Sequence, residues 1–520
     1  MIEDNSFSAL PNNWVWAKTG DICEGVVPGR TKPKNFQGTI PWITLPDVPG
    51  LYVSKSQNNL AVTREDAEAV GMKVMPEGSV LMSCVGQFGL VCIAKNEIVP
   101  NQQLHGFICL DKVLPEYLAY ALMTQVDQMN QLASATTVAY INKTKCNSIQ
   151  IPLAPFNEQR HIVAKIEALM DRSQRVKEAL EAIPSLLNQF RRSVVNAAFR
   201  GNLTTDWREK NLNVETAEEL LKRVQKDEES FLEKYQELSP LQQENLPALP
   251  DKWIWTVTEN LSNFESNAIC AGPFGTIFKA KDFRHSGIPI IFLRHVGEGK
   301  YLTNKPGFMD VEKWEELFKP YSVWGGELLV TKLGEPPGVC AIYPEGIGPA
   351  MVTPDVIKMS VNKYAAETPY LMYYLNSDLS KRFAFGIAYG MTRLRMNLPI
   401  FRTLPVPLAP LQEQREIVRR IQSFFKAADR LEQQYQEARV YLDQLDQSIL
   451  AKAFRGELVP QDPNDEPASV LLERIRAERV KREAEAKVAK KFTGKTSGQR
   501  DRKAKQQDLE SIQLGLPGLE

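Results

Sequence analysis

The sequence predicts an α/β (α+β) protein: two mixed α/β domains separated by two long helices that form an antiparallel coiled coil, arranged as an internal pseudo-twofold repeat. Three observations predict this. PLAPFNEQRHIV at residues 152–163 returns as PLAPLQEQREIV at 407–418, and AFRGNL at 198–203 returns as AFRGEL at 453–458, both displaced by 255 residues. LPNNWVW from Leu10 is echoed by LPDKWIW from Leu249. After each PLAP motif an apolar position recurs every three or four residues for about five heptads, the signature of a coiled coil. A period this long is too large for a solenoid and marks a duplicated domain pair.

The elements follow in order. The first domain spans 1–155. Its strands are read at 40–45 (IPWITL), 78–85 (GSVLMSCV) and 90–94 (LVCIA), which are β-branched segments bounded by Gly and Pro, and a helix is read from Glu116 to Met129. The first long helix covers 156–200, with the seam Ile162, Ile166, Leu169, Val176, Leu180, Ile183 and Leu187. Pro184 breaks its pattern and predicts a kink. A linker with a helical segment occupies 201–248. The second domain, 249–410, repeats the strand order at 288–296, 326–333 and 338–343, followed by a helix from Pro369 to Leu379. The second long helix covers 411–456, with the seam Ile417, Ile421, Phe424, Leu431, Tyr435, Leu442 and Leu445. Gly201 and Gly456 fit C-terminal caps. Each helix of about 45 residues extends ~65 Å. Antiparallel pairing is the simpler geometry, because parallel pairing makes the linker retrace the rod. Residues 457–520 form a charged, basic, partly disordered tail with a charged helix pattern from Leu471 to Lys491, read as solvated, with non-specific DNA or partner contact as the alternative.

Composition excludes several classes. The chain carries 63 Lys+Arg against 63 Asp+Glu, so net charge points to no partner and a local face must decide. There is no apolar run of about 18 residues, and the polar, acidic N-terminus does not read as a signal peptide. Seven cysteines without CxxC spacing argue against a disulfide framework or a zinc site, and a cytoplasmic, reduced chain is expected. None of the four histidines is spaced as a helix-borne metal ligand, so no metal is expected.

The LP-x-x-W-x-W openings, PGRTKP…GTIPWITLPDV at 28–48, GPFGTIFKAKDF…GIPIIFLRHV at 272–296, the PLAP-x-x-EQR-x-IV motifs and the AFRG-x-L ends occur together over about residues 10–475. In this combination the chain resembles the DNA specificity subunit of Type I restriction-modification enzymes. The resemblance implies two target-recognition domains, each reading one half of a split, asymmetric double-stranded DNA site. It implies helices acting as a ruler between the half-sites, with two methyltransferase subunits docked on them and restriction/translocase subunits joining the complex. No cofactor is expected on this chain. AdoMet belongs to the methyltransferase subunits, and ATP and Mg to the restriction subunits.

Candidate DNA-binding residues follow from side-chain chemistry. In the first head, Arg30, Thr31, Lys32 and Lys34 form a basic turn suited to phosphate or groove contact. Gln87, Gln102 and Gln103 lie near strand ends, and Gln pairs with adenine edges. Thr136, Thr137 and Tyr140 precede the first long helix where the family's loop approaches DNA. In the second head the candidates are Lys279, Lys281, Arg284, Arg294 and Lys332, then Thr392, Arg393 and Arg395. Arg forks onto guanine O6 and N7, and equally holds a phosphate. The competing reading is ordinary solvated surface, which is the commoner state of a surface glutamine, and a structural salt bridge for Arg393 and Arg395, where DNA contact is favoured.

Rival readings are weaker. A methyltransferase needs an AdoMet glycine loop and an Asn/Asp-Pro-Pro-aromatic motif, and the nearest string, Gly334-Glu335-Pro336-Pro337-Gly338, lacks the amide and the aromatic. A nuclease needs clustered carboxylates, and Pro354-Asp355 with the later acids makes no such set. A coiled-coil scaffold without DNA specificity leaves two divergent heads in one repeated frame unexplained. No catalytic residue is assigned to this chain.

Overall fold

The structure is a computed structural model that describes residues 9–27, 31–48, 50–134, 138–226, 235–239, 246–273, 282–334, 337–387, 395–481 and 484. It divides into two compact units: Met1–Ala179 with Ala438–Glu520, and Leu180–Glu437. Each unit therefore holds one head and a stretch of both long helices.

In the first unit the opening strand Val15–Lys18 pairs antiparallel with Gln150–Leu153, so the opening and closing motifs of the head meet. A five-stranded sheet has the order Cys23–Val26, Leu104–Cys109, Val80–Ser83, Val91–Ala94, Tyr52–Val53. A three-stranded sheet runs Ala61–Val62, Ile40–Ile43, Val99–Pro100. The helix expected over 116–129 is two helices, Pro115–Met123 and Val126–Leu132. The first of these buries Tyr117, Leu118 and Leu122 against the larger sheet and the long helices.

The second unit repeats this plan. Ile254–Val257 pairs antiparallel with Pro405–Leu408. One sheet runs Ile269–Ala271, Val356–Met359, Leu328–Thr331, Cys340–Ile342, and the other Phe283–Arg284, Gly307–Met309, Ile288–Ile291, Ala350–Val352, Ser322–Val323. In both heads the strand that begins Ile-Pro has one antiparallel and one parallel neighbour. The expected helix at Pro369–Leu379 is again two, Thr368–Leu375 and Asp378–Ile387.

The first long helix is interrupted where Pro184 predicts, giving Phe156–Glu181 and Ile183–Phe199 with Pro184 in the first turn of the second piece. The second, Leu411–Phe454, is continuous. Within each unit the helices run antiparallel. In the first, Lys177 reaches Asp443 at 2.6 Å and Asp446 at 2.8 Å, while Asn157, five turns earlier, meets Asp465 beyond the other helix's end. In the second, Arg191 reaches Asp429 and Glu432, both at 2.8 Å, and the chain after this helix meets the start of the other through Thr204 and Glu413.

The seam differs from expectation. Ile162 and Ile166, like Ile417 and Ile421, are buried, but in the cores of the heads. Leu187 and Tyr435 are buried and Leu169, Leu180, Ile183 and Leu442 half-buried. Val176, Phe424, Leu431 and Leu445 lie at the surface, with Val176 47 % and Leu431 53 % exposed. A pair of helices without a third layer buries one narrow strip, and a strict seven-residue repeat drifts about 20° per heptad off the contact line of a straight helix. The buried contact line includes the small residues Ser173 and Ala428, which the same three-and-four spacing places in the seam.

The tail also differs. Residues 468–481 are helical, in keeping with the helix pattern read from Leu471, but Ala468, Leu471, Leu472 and Ile475 are buried in the first unit's core beside Trp14 instead of solvated. Linker helix Ala217–Lys226 is the counterpart in the second unit, burying Ala217, Leu221 and Val224 beside Trp253. The Ala468 N–H donates to the Asn13 carbonyl at 2.9 Å, and that of Ala217 to the Lys252 carbonyl at 3.0 Å. The end of the second repeat thus docks on the beginning of the first, as the linker docks on the second head.

Candidate nucleic-acid interface

The repeated motifs build the frame. The indole of Trp14 donates to Glu158 at 2.9 Å, and Trp253 to Glu413 at 2.8 Å. The Gln159 amide donates to the Ala154 carbonyl at 2.9 Å and accepts the Leu114 N–H at 3.2 Å. Gln414 makes the same bonds to Ala409 and Glu367, at 2.8 and 2.9 Å. Tyr117 and Tyr370 donate to the carbonyls of Pro152 and Pro407. The E and Q of the EQR motif are thus buried struts joining each long helix to its head, and every partner is held by backbone or a fixed side chain. The copies differ in one respect. Glu413 is also paired with Arg208 at 2.6 Å, whereas one oxygen of Glu158 has no hydrogen-bond partner among the described residues, and burial raises its carboxyl above the usual range.

On this frame each head presents a rim where its central strand ends. In the first, Val80–Ser83 runs into Cys84, whose N–H donates to the Gln103 carbonyl at 2.9 Å and whose carbonyl accepts from Ile141 at 3.0 Å. The Gly86 N–H donates to the Ala139 carbonyl at 2.9 Å, with Gly86 at φ 76°, where a side chain is strained. Three loops converge there and bring together Gln87, Gln102, Gln103 and Tyr140, four of the candidates named from the sequence. Gln87, Gln102 and Tyr140 are exposed, and Gln103 is held by reciprocal bonds with Asn101 at 3.1 Å. Below the rim, burial pushes the His105 imidazole down to about 4, so it is neutral there at physiological pH.

The second rim has the same backbone and different side chains. Strand Leu328–Thr331 runs into Lys332, whose carbonyl accepts from Met396 at 3.0 Å, as Cys84 accepts from Ile141. The Lys332 N–H donates to the Asp355 carbonyl at 2.8 Å. Arg395 occupies the place of Tyr140. Burial lowers the Lys332 ammonium's pKa, Asp355 counteracts this, and the Arg395 charge adds to the lowering. Asp355 is a member of this group that sequence reading treated only as a stray acid.

The remaining candidates are not part of these rims' hydrogen-bond networks. Thr31, Lys32 and Lys34 are exposed beside the three-stranded sheet, with the Lys32 ammonium 5.3 Å from both the Phe36 and Trp42 ring centres. Arg294 lies 4.2 Å from the Phe292 ring centre and donates to the Lys305 carbonyl at 3.0 Å, so it fastens its own turn. Arg284 donates to the Phe283 carbonyl and lies 4.0 Å from Asp310. Arg30, Thr136, Thr137, Lys279, Lys281, Thr392 and Arg393 fall outside the described residues.

The helices carry a second kind of site, which sequence reading assigned to the seam or passed over. Val176, Tyr441 and Leu445 are exposed in the first unit, and Leu431, Leu186 and Phe190 in the second. These are repeat equivalents, position for position. Among the described residues no group of His, Cys, Asp or Glu could hold a metal ion, and no helix is long and apolar enough to cross a membrane.

Comparison with known proteins agrees with this architecture. The profile of the Type I restriction modification DNA specificity domain matches residues 11–184 and 293–438, one stretch in each repeat. The chain is 28 % identical over 507 residues to the Type I restriction enzyme EcoBI specificity subunit of Escherichia coli, covering 95 % of this chain and 98 % of that one. It is 26 % identical over 510 residues to the EcoKI specificity subunit of Escherichia coli K12, covering 91 % and 97 %. A solved chain from work on complex assembly and conformational transition of the type I R-M system shares the fold with a TM-score of 0.56 at 18 % identity, covering 87 % of this chain and 100 % of that one. With the profile matching both repeats and the relatives aligned along nearly their whole length, the chain belongs to the Type I restriction-modification DNA specificity family.

Proposed function

We propose that this chain selects the DNA target of a Type I restriction-modification complex, each head reading one half of a split, asymmetric site in double-stranded DNA. The observation that carries this reading is the pair of rims: one backbone arrangement, built twice by the same motifs, carries amides and a phenol in the first head and cations in the second. A frame kept constant beneath divergent polar surfaces is what two different half-sites require. Catalysis lies in partner subunits, as for the specificity subunits it resembles.

The paired helices are the proposed ruler between half-sites and the proposed dock for two methyltransferase subunits. The repeat-equivalent patches Val176–Tyr441–Leu445 and Leu431–Leu186–Phe190 support two copies of one partner, since equivalent apolar surfaces suit equivalent ligands. AdoMet then sits in the methyltransferase subunits, and ATP and Mg in restriction/translocase subunits, all in the cytoplasm. Mapping modified adenines genome-wide, with and without this chain, tests the proposal. A split motif that disappears on deletion is the expected result; modification unchanged by deletion refutes it.

A further inference from the structure

In the larger sheet of the first head two cysteines stand directly opposite each other. Strand Cys23–Val26 lies at the sheet's edge and pairs antiparallel with Leu104–Cys109, Cys23 in register with Cys109. The Leu110 N–H donates to the Ile22 carbonyl at 3.0 Å, so the ladder's hydrogen bonds flank this pair and do not join it. In such a pair both side chains leave the same face, and the Cα atoms approach to about 4.5 Å. A disulfide spans Cα separations of roughly 4.4–6.8 Å, so the two strands already stand where the bond needs them. Both residues are free thiols, Cys23 buried and Cys109 half-buried. Burial pushes the Cys23 thiol well above its usual range, and the neighbouring Cys109 adds to the shift.

The repeated frame does not need this pair. In the second head the Thr258 N–H donates to the Leu404 carbonyl as that of Thr19 does to Ile149, and the Asn362 N–H to Leu261 as that of Leu110 does to Ile22. The residues bridged at the equivalent place are Ser262 and Val361. The other strand cysteines, Cys92, Cys270 and Cys340, face Leu81, Lys358 and Val330. The facing thiols therefore belong to the first head alone.

We propose that Cys23 and Cys109 are a redox modification site, forming a reversible cross-strand disulfide when a peroxide oxidises them and so fastening the edge strand of the first head. The inference stands apart from the DNA-reading function above. Cys109 is the sulfur that a reagent reaches. It takes one oxygen from hydrogen peroxide, becoming a sulfenic acid and releasing water. The Cys23 sulfur then displaces that oxygen, its proton leaving with the hydroxyl as a second water, and the S–S bond forms. The two thiols lose two electrons and the peroxide gains them. In a reducing cytoplasm the pair rests as thiols. The bond closes a long loop of chain, which constrains the unfolded first unit and stabilises the folded one.

The test uses the full chain. The reduced protein is treated with hydrogen peroxide, remaining thiols are alkylated, and tryptic peptides are weighed without reduction. A peptide joining Cys23 to Cys109 is expected, and dithiothreitol should separate it. The first unit of the oxidised chain should melt about 5 °C or more above the same sample re-reduced with dithiothreitol. Cys23→Ala and Cys109→Ala each abolish the cross-link and the shift, while Cys270→Ala, in the second head, keeps both. Both thiols still open to alkylation after peroxide overturn the proposal. So does Cys109 carried on to sulfinic acid with Cys23 free, or a bond from either to another cysteine or a second chain. A cross-link without a rise in melting temperature overturns the fastening of the strand.

Discussion

A Cβ placed on Gly456 would stand 2.3 Å from Cγ of Pro11, and one on Gly201 would stand 2.3 Å from Cγ of Pro250. The glycine that ends each long helix is thus seated against the proline that opens a head. Both glycines are left-handed, at φ 75° and 76°. The AFRG-x-L and LP-x-x-W motifs are therefore two sides of one joint, made once by the linker and once by the chain's two ends.

Gly456→Ala is expected to destabilise the first unit. The left-handed backbone alone costs about 1–3 kcal/mol for a residue with a Cβ, and Pro11 must also yield. Gly201→Ala should act equally on the second unit. Thermal unfolding of the two variants checks both, and an unchanged Tm for either contradicts the joint.

Substituting the two repeated glutamates should have opposite signs. Glu158 is buried with one oxygen unpartnered, and its raised pKa means the folded state favours the protonated form. Its contribution to stability is therefore lost as pH rises past the usual carboxylate range. Glu158→Gln keeps an acceptor for Trp14, removes that pH dependence and stabilises the first unit at neutral pH. Glu413→Gln leaves Arg208 without its carboxylate and should cost about 2 kcal/mol, a buried-pair loss discounted for the part-exposed guanidinium. Urea unfolding between about pH 4 and pH 8, which brackets carboxylate titration, separates the two.

Opposite charges face each other across the paired helices. Lys177 and Arg191 on the first helix face Asp443, Asp446, Asp429 and Glu432 on the second. Lys177→Glu puts three acids together and should lower thermal stability more than Lys177→Ala does, with Asp446→Lys restoring part of the loss. Equal effects of the two Lys177 substitutions would show that the pairing does not depend on charge.

The helix at 468–481 is part of the first unit's core, so Leu471→Asp should destabilise that unit by about 3 kcal/mol or more through burial of an unpaired charge. Limited proteolysis should then release fragments of the first head before the second. A variant as resistant as the unaltered chain argues against the docked helix.

Each apolar patch on the helices should hold one partner subunit. Val176→Asp with Leu445→Asp, both surface positions, leaves the folded chain stable and removes one docking patch. Light scattering of the complex with its methyltransferase should show one bound copy where the unaltered chain binds two. Two copies on the double variant place the dock elsewhere.

The sequence by itself determined the repeat, the class of the central strands and long helices it read, the break at Pro184 and the family. These depend on local pattern and on motifs that recur whole, and both are written along the chain. It also placed Gln87, Gln102 and Gln103 near strand ends, since Gly-bounded apolar runs mark where strands stop, and it offered Tyr140, Lys332 and Arg395 as candidates through family resemblance or charge. Only the tertiary structure decided which of these share a rim, because the convergence depends on hydrogen bonds between loops far apart in the chain, such as Ile141 to Cys84 and Met396 to Lys332. It also moved Ile162, Ile166, Ile417 and Ile421 from a helix seam to the head cores, and Val176, Leu431 and Leu445 to the surface. A heptad says which face of a helix is apolar. Whether that face meets a second helix, a head or a partner depends on what the rest of the chain packs against it. The same holds for the tail: its charge suggested a solvated segment, and four apolar residues at helical spacing were enough to dock it once the first head supplied a surface.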